Sequence, residues 1–284
     1  MTAVAEPRTV DDAARRVLSD TGERYRRRAR KDRVVVMSGV VGLGAALLLF
    51  WEFGAHLVLN TRYISSPSEV VAALGEQIES GDLGRHMVAT MTAAGLGYLI
   101  GIAVGLAGAF LLMATRRGYD VLEPFLLAFY SIPKIALAPL FIMWFGLALT
   151  PKILLAALMV FFIVFMNTVA GVRSVDRGLI DVARVLGARR LTLIRKILIP
   201  AAAPSIMAAI RVTFSRAMVG TILAEFIAST SGLGYMIVRA ARQFDIATVF
   251  AGVVVIAALV MLVNAVIRFL ESRLFPWASG QVAG

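Results

Sequence analysis

Few residues in this 284-residue chain can do chemistry, and they stand in unexpected places. Lys134, Arg216 and Glu225 are charged and Asn167 is polar, yet all four lie within long apolar stretches. A charge at the centre of a bilayer costs about 2.5–3.5 kcal/mol on insertion scales, so it turns toward a cavity or a partner. For Lys134 and Arg216 two readings stay open. One is a cationic lining for an anionic solute. The other is structural, with Lys134 capping carbonyls freed near Pro133 and Pro139 and Arg216 pairing with a neighbouring helix. Glu225 lies nine residues beyond Arg216, about 13 Å along one helix, so the two cannot pair in that helix. Glu225 is expected to fix an outer gate or a contact with an external protein, and Asn167 to bond between helices. Arg211 is expected to reach the headgroups. There is no cysteine, and the two histidines, His56 and His86, are far apart, which excludes thiolate chemistry and a histidine metal cage. None of the four lysines follows a glycine, so no phosphate-binding GxxxxGK[ST] loop exists.

The elements that hold these residues follow from composition. The chain is 59% hydrophobic and 17% charged, whereas a soluble domain carries roughly 25% charge. A soluble enzyme and a disordered chain are both excluded. Six stretches approach the roughly 20 apolar residues a helix needs to cross the hydrocarbon core. They are 34–57, 87–113, two within 121–172 divided at Gly146–Pro151, then 204–227 and 247–268. The expected fold is therefore all-α. It has a basic tail over 1–33, a six-helix transmembrane domain over 34–273 and a short tail over 274–284. The first span is too long, with too basic a lead, for a cleaved signal.

The net charge of +11 reports orientation rather than nucleic-acid binding. Of the 29 basic residues, 21 fall in the tail and the alternate loops on one side, which puts both termini in the cytoplasm. Segment 64–85 has Val70, Val71, Leu74 and Ile78 at helical spacing and reads as an amphipathic helix outside the membrane. Gly97, Gly101, Gly105 and Ala109 recur every four residues, a stripe that lets two helices pack closely.

The most informative segment is the cytoplasmic loop 173–203, and overlapping it GLIDVARVLGARRLTLIRKILIPAAAPSI, residues 178–206. Leu179, Val182, Ala183 and Leu186 share one helical face, Asp181 is read into the first turn, and Gly187 interrupts. A second apolar-faced piece carries Leu191, Ile194, Ile197 and Leu198 up to Pro200, and Pro204 is placed to start the fifth span. Such a helix between spans can dock into a soluble partner's groove.

This loop resembles the EAA-x3-G-x9-I-x-LP loop of permease subunits of bacterial ABC importers. Asp181, Val182 and Ala183 stand where EAA would, Gly187 matches the glycine, Ile197 the isoleucine, and Ile199-Pro200 the LP. The departures are Asp for Glu, Val for Ala and Ile for Leu. RYISSPSEVVAAL, IPKIALAPLFIMWFG, GVRSVD and AEFIASTSGLGYMI are similar to the branch importing nitrate, sulfonates, taurine and bicarbonate. Residues 1–33 lie outside the resemblance.

The resemblance implies a type I (MetI-like) permease in the bacterial inner membrane, forming the path for a small anionic solute. Asp181, Val182, Ala183, Gly187, Ile197 and Pro200 would couple it to separate ATP-binding cassette subunits, which bind the ATP and magnesium. A second permease copy, most simply a homodimer, and an extracytoplasmic binding protein complete the expected assembly, with no cofactor in this chain. The competing class is a secondary transporter driven by an ion gradient, which calls for inverted repeats and a mid-span carboxylate. Neither is seen. A membrane enzyme is the third class. VDRGLIDVARVLG faintly resembles the CDP-alcohol phosphotransferase signature, but no aspartate lies between Asp181 and Asp245 to complete a metal site.

Overall fold

The computed structural model describes residues 35–55, 64–113 and 118–274. The basic tail 1–33, Arg116, Arg117 and residues 275–284 lie outside the described residues. The chain divides into two compact units, residues 1–68 and 69–284. In the first, α1 (Val35–Ala55) is long and apolar enough to cross a membrane. Near its end, Trp51 donates to the Ser65 carbonyl at 2.8 Å, and the Glu52 carboxylate accepts both the N–H and the hydroxyl of Ser68. Ser68 lies in the opening turn of α2 (Pro67–Glu79), where a carboxylate is favoured by the exposed N–H groups.

The second unit is a helical bundle. Its spanning helices are α3 (Asp82–Met113), α6 (Leu149–Arg173), α9 (Ile199–Ile227) and α11 (Ile246–Leu274). Between α3 and α6 runs a broken span, α4 (Gly118–Ser131) and α5 (Ala138–Phe145), joined by a 3₁₀ turn over Lys134–Leu137. The two arms bend by 82°. Pro133 and Pro139 explain the break, since each lacks the N–H that would continue the ladder. Among the described residues this makes five continuous spans and a sixth in two pieces. The sequence expectation of six spans is met when the bent pair is counted as one, and that third span is broken near a right angle at Lys134.

The core is the seam of α6 with α3 and α9. At the stripe, a Cβ on Gly97 would fall 2.5 Å from that of Ala156, and one on Gly220 of α9 would fall 2.9 Å from the Ala156 Cα. Ala156 is thus clamped from both sides by backbone. Lipid tails are as apolar as leucine, so this close van der Waals fit, rather than water exclusion, holds the three helices. α9 begins at Ile199, with Pro200 in its first turn and Pro204 inside it, so the fifth span starts a turn earlier than its sequence suggested. A π-helical turn over Ile194–Leu198 carries α8 (Arg190–Leu193) straight into α9.

Candidate functional site

The loop after α6 folds as α7 (Arg177–Val185). Its N-cap is Asp176, whose carboxylate accepts the Gly178 N–H at 2.8 Å. Asp181 is therefore a turn further in than expected, where it pairs with Arg184 at 3.1 Å. At the other end the Ala188 N–H bonds back to the Ala183 carbonyl and the Gly187 N–H to that of Arg184. This is a Schellman close, and it places Gly187 at φ +79°, where glycine carries no Cβ penalty. The apolar residues split between two faces. Ile180 and Ala183 pack inward on a cluster that includes Val172, Leu193, Leu198 and Ile206, and Ile197 packs on it too. Leu179, Val182, Val185 and Leu186 face outward, with Val185 87% and Leu186 81% exposed. Ala183, read from sequence onto the same face as Val182, is on the opposite one, because four residues sharing a stripe still straddle the inward arc. Pro200 is exposed at the start of α9.

At the break of the third span, the Lys134 ammonium donates to the Tyr130 carbonyl at 2.8 Å, a group freed by the broken ladder. The same nitrogen lies 4.5 Å from the centre of the Tyr130 ring and 4.9 Å from that of Phe162. The ammonium is half-buried, held by one carbonyl and two aromatic faces. Arg216 is exposed on α9. Asn167, expected to bond between helices, bonds its own helix instead, donating to the Ile163 carbonyl one turn back. Arg211 does not reach for headgroups either. Its guanidinium makes a two-pronged pair with Glu271 of α11, one bond at 2.8 Å.

The end of the bundle away from α7 holds a polar cluster that sequence reading missed. Glu225 is 1% exposed. Its carboxylate accepts the Thr90 hydroxyl at 3.0 Å and the Gly234 N–H at 2.8 Å. Lys152, read from sequence into a loop, is 4% exposed and stands 3.5 Å from that carboxylate while donating to the Ser231 carbonyl. Thr90 also accepts the Leu233 N–H, and His86 Nδ1 accepts that of Gly232. These three consecutive N–H groups open α10 (Leu233–Arg242), so side chains from α3 and α9 cap another helix in place of its own residues. Gly232 has φ +116°, and a Cβ there would overlap the Glu225 carboxylate. Glu225 thus sits inside the chain's own packing rather than on a cavity wall. The available signal was His86 and Thr90 at i and i+4 on one face of α3, with Gly232-Leu233-Gly234 marking a tight approach.

The arrangement is an apolar-faced helix outside a bundle of long apolar helices, with one broken helix pair between them. Residues 86–276 match the family described as binding-protein-dependent transport system inner membrane component. The chain belongs to that family and is a multi-pass inner-membrane permease subunit of an ABC importer, non-catalytic in itself, with ATPase and binding-protein partners. It is 35% identical over 267 residues to a Bacillus subtilis chain named as an aliphatic sulfonates transport permease, covering 94% of this chain and 96% of that one. It is 34% identical over 232 residues to the riboflavin transport system permease of Chloroflexus aurantiacus, covering 81% and 87%. The fold is similar to that of the inward-facing MetNI methionine ABC transporter, with a TM-score of 0.59 at 22% identity, over 69% of this chain and 95% of that one.

Proposed function

We propose that this permease carries a small anionic solute of the sulfonate, nitrate, bicarbonate or organic-acid type through a homodimer of two copies. Both termini lie in the cytoplasm, where α7 docks on an ATPase subunit that binds ATP and magnesium. The binding protein delivers solute at the opposite end. The observation that carries the reading is the outward face of α7, where Leu179, Val182, Val185 and Leu186 are exposed on a helix capped at both ends. A rigid helix with an apolar face transmits movement that a flexible loop would absorb. Ala183 and Ile197 pass that movement to α6 and α9 through the cluster they share.

The charge of the solute is supported by Lys134. Its ammonium has a carbonyl and two rings around it, and an oxyanion completes its coordination better than any neutral group. Arg216, exposed on α9, is the second cation of that path, and Asn167, exposed on α6, adds a polar surface to it. Glu225 serves the outer end by holding residues 229–234 in place. The sulfonate-named relative agrees with an anion, and the riboflavin permease shows how widely the fold is reused.

The test is reconstitution with an ATPase and a binding protein from the same source. Leu186→Glu should abolish ATPase association while the permease still folds. Lys134→Ala with Arg216→Ala should weaken anion uptake while leaving association intact. Normal uptake by the double variant would exclude the cationic path, and normal association of Leu186→Glu would exclude docking through α7.

A further inference from the structure

Two helices of this chain end in the same hydrogen-bond pattern, but with different residues at the left-handed position. α7 closes on Gly187, as the pattern favours. α10 closes with the Asp245 N–H on the Ala240 carbonyl and the Phe244 N–H on that of Ala241, which puts Phe244 at φ +58°. Phe244 is the one non-glycine residue at positive φ among the described residues. Its Cβ crowds the next carbonyl there, and a bulky side chain has no local hydrogen bond to offset the strain. Packing does not explain it, because Phe244 is 75% exposed. The turn is held rigidly. Asp245 accepts the Thr248 N–H at 3.0 Å and so starts α11 directly after it.

Strain kept at an exposed position points to a use outside the chain. We propose that Phe244 is the aromatic anchor by which the extracytoplasmic binding protein docks, inserted into an apolar pocket ringed by carboxylates. The inference rests on the importer reading and on its orientation. Three observations select this occupant. α10 buries Leu233, Met236, Ile237 and Ala240 against the bundle, so its other face is the free one. That face carries Arg239 and Arg242, exposed and without an ion pair among the described residues, which calls for an acidic rim opposite. A single ring carried on a hydrogen-bonded turn, with two arginines on the same helix, is the composition of a protein hot spot. A lipid surface asks only for apolar area and does not require one ring orientation. Family membership supplies a binding protein as partner, and the proposed orientation puts it at the end opposite α7.

The experiment uses the permease–ATPase complex in nanodiscs and the purified binding protein from the same source. Stimulation of wild-type ATPase activity by the binding protein comes first, and its absence would overturn the importer reading on which the proposal stands. Phe244→Gly removes the ring and relieves the backbone together. The expected result is opposite signs: thermal stability rises by about 2 °C, as relief of roughly one strained residue implies, while half-saturation by the binding protein moves up at least tenfold. Phe244→Trp should restore docking, and Arg239→Glu with Arg242→Glu should weaken it and flatten its salt dependence. Half-saturation within twofold of wild type for Phe244→Gly would overturn the proposal. So would a loss seen only in nanodiscs containing phosphatidylglycerol and not in pure phosphatidylcholine, which would assign Phe244 to the lipid surface.

Discussion

At the start of α6, Lys152 is buried against Glu225, and the whole polar cluster around them is satisfied from within the chain. Beyond the end of α6, some 25 residues away, α7 leaves Val182, Val185 and Leu186 uncovered. One helix joins an end that is complete in itself to an end that, on the proposed docking, a partner completes. The contrast shows where a transport subunit can yield and where it cannot. A buried ion pair is stabilising only while every member is present. The cluster at the far end therefore holds α3, α6, α9 and α10 as one body. The apolar face of α7 packs on nothing in the isolated chain, and on the proposed docking it serves the assembly.

Breaking the complete end should have the largest effect. Glu225→Ala leaves Lys152 buried without its counter-charge and three N–H groups of α10 without part of their cap. The expected loss is about 3–5 kcal/mol, read as aggregation or a collapse of thermal stability in detergent. Glu225→Gln combined with Lys152→Met should recover a good part of it, since the charge is then removed in both partners. Next in size is Gly220→Leu, which drives a side chain into the Ala156 backbone. It should cost about 1–3 kcal/mol or more of overpacking and part α6 from α9, visible as failed assembly on native gels.

At the incomplete end the sign of the contrast reverses. Val182→Glu should leave thermal stability of the isolated permease within about 0.5 kcal/mol of wild type, because the side chain is exposed, yet lower uptake by an order of magnitude or more in the assembled transporter. Equal loss of stability and uptake would erase the distinction between the two ends. The smallest effect is Arg184→Ala. Its pair with Asp181 is exposed on both sides, so chemical denaturation should register no more than about 0.5 kcal/mol.

Much of this was legible in the chain. Hydropathy located the spans, and the spacing from Asp181 to Pro200 located the loop that folds as α7, α8 and the start of α9. Lys134 between Pro133 and Pro139 announced a broken helix, and its bond to the Tyr130 carbonyl follows from the break. Asp176 ahead of an apolar-periodic run is a readable N-cap that lies outside the motif. Other positions could not be read locally. Lys152 looked like a loop residue because hydropathy treats any charge as a boundary, while its partner Glu225 is 73 residues away in sequence. Arg211 looked free to snorkel because Glu271 is 60 residues away. Asn167 looked like interhelical glue because its type does not say whether it will bond back to its own helix.

Local periodicity, turn chemistry and the cost of apolar surface in water are properties of neighbouring residues. Sequence alone therefore determined an all-α membrane chain, the break at Lys134 and the place of the amphipathic helix α7. Which charges are buried in pairs and which face of α7 is turned inward depend on contacts between distant segments. A side chain's partner across a helix seam is set by how the backbones approach, as Gly97 and Gly220 approach Ala156, and only the folded chain decides that.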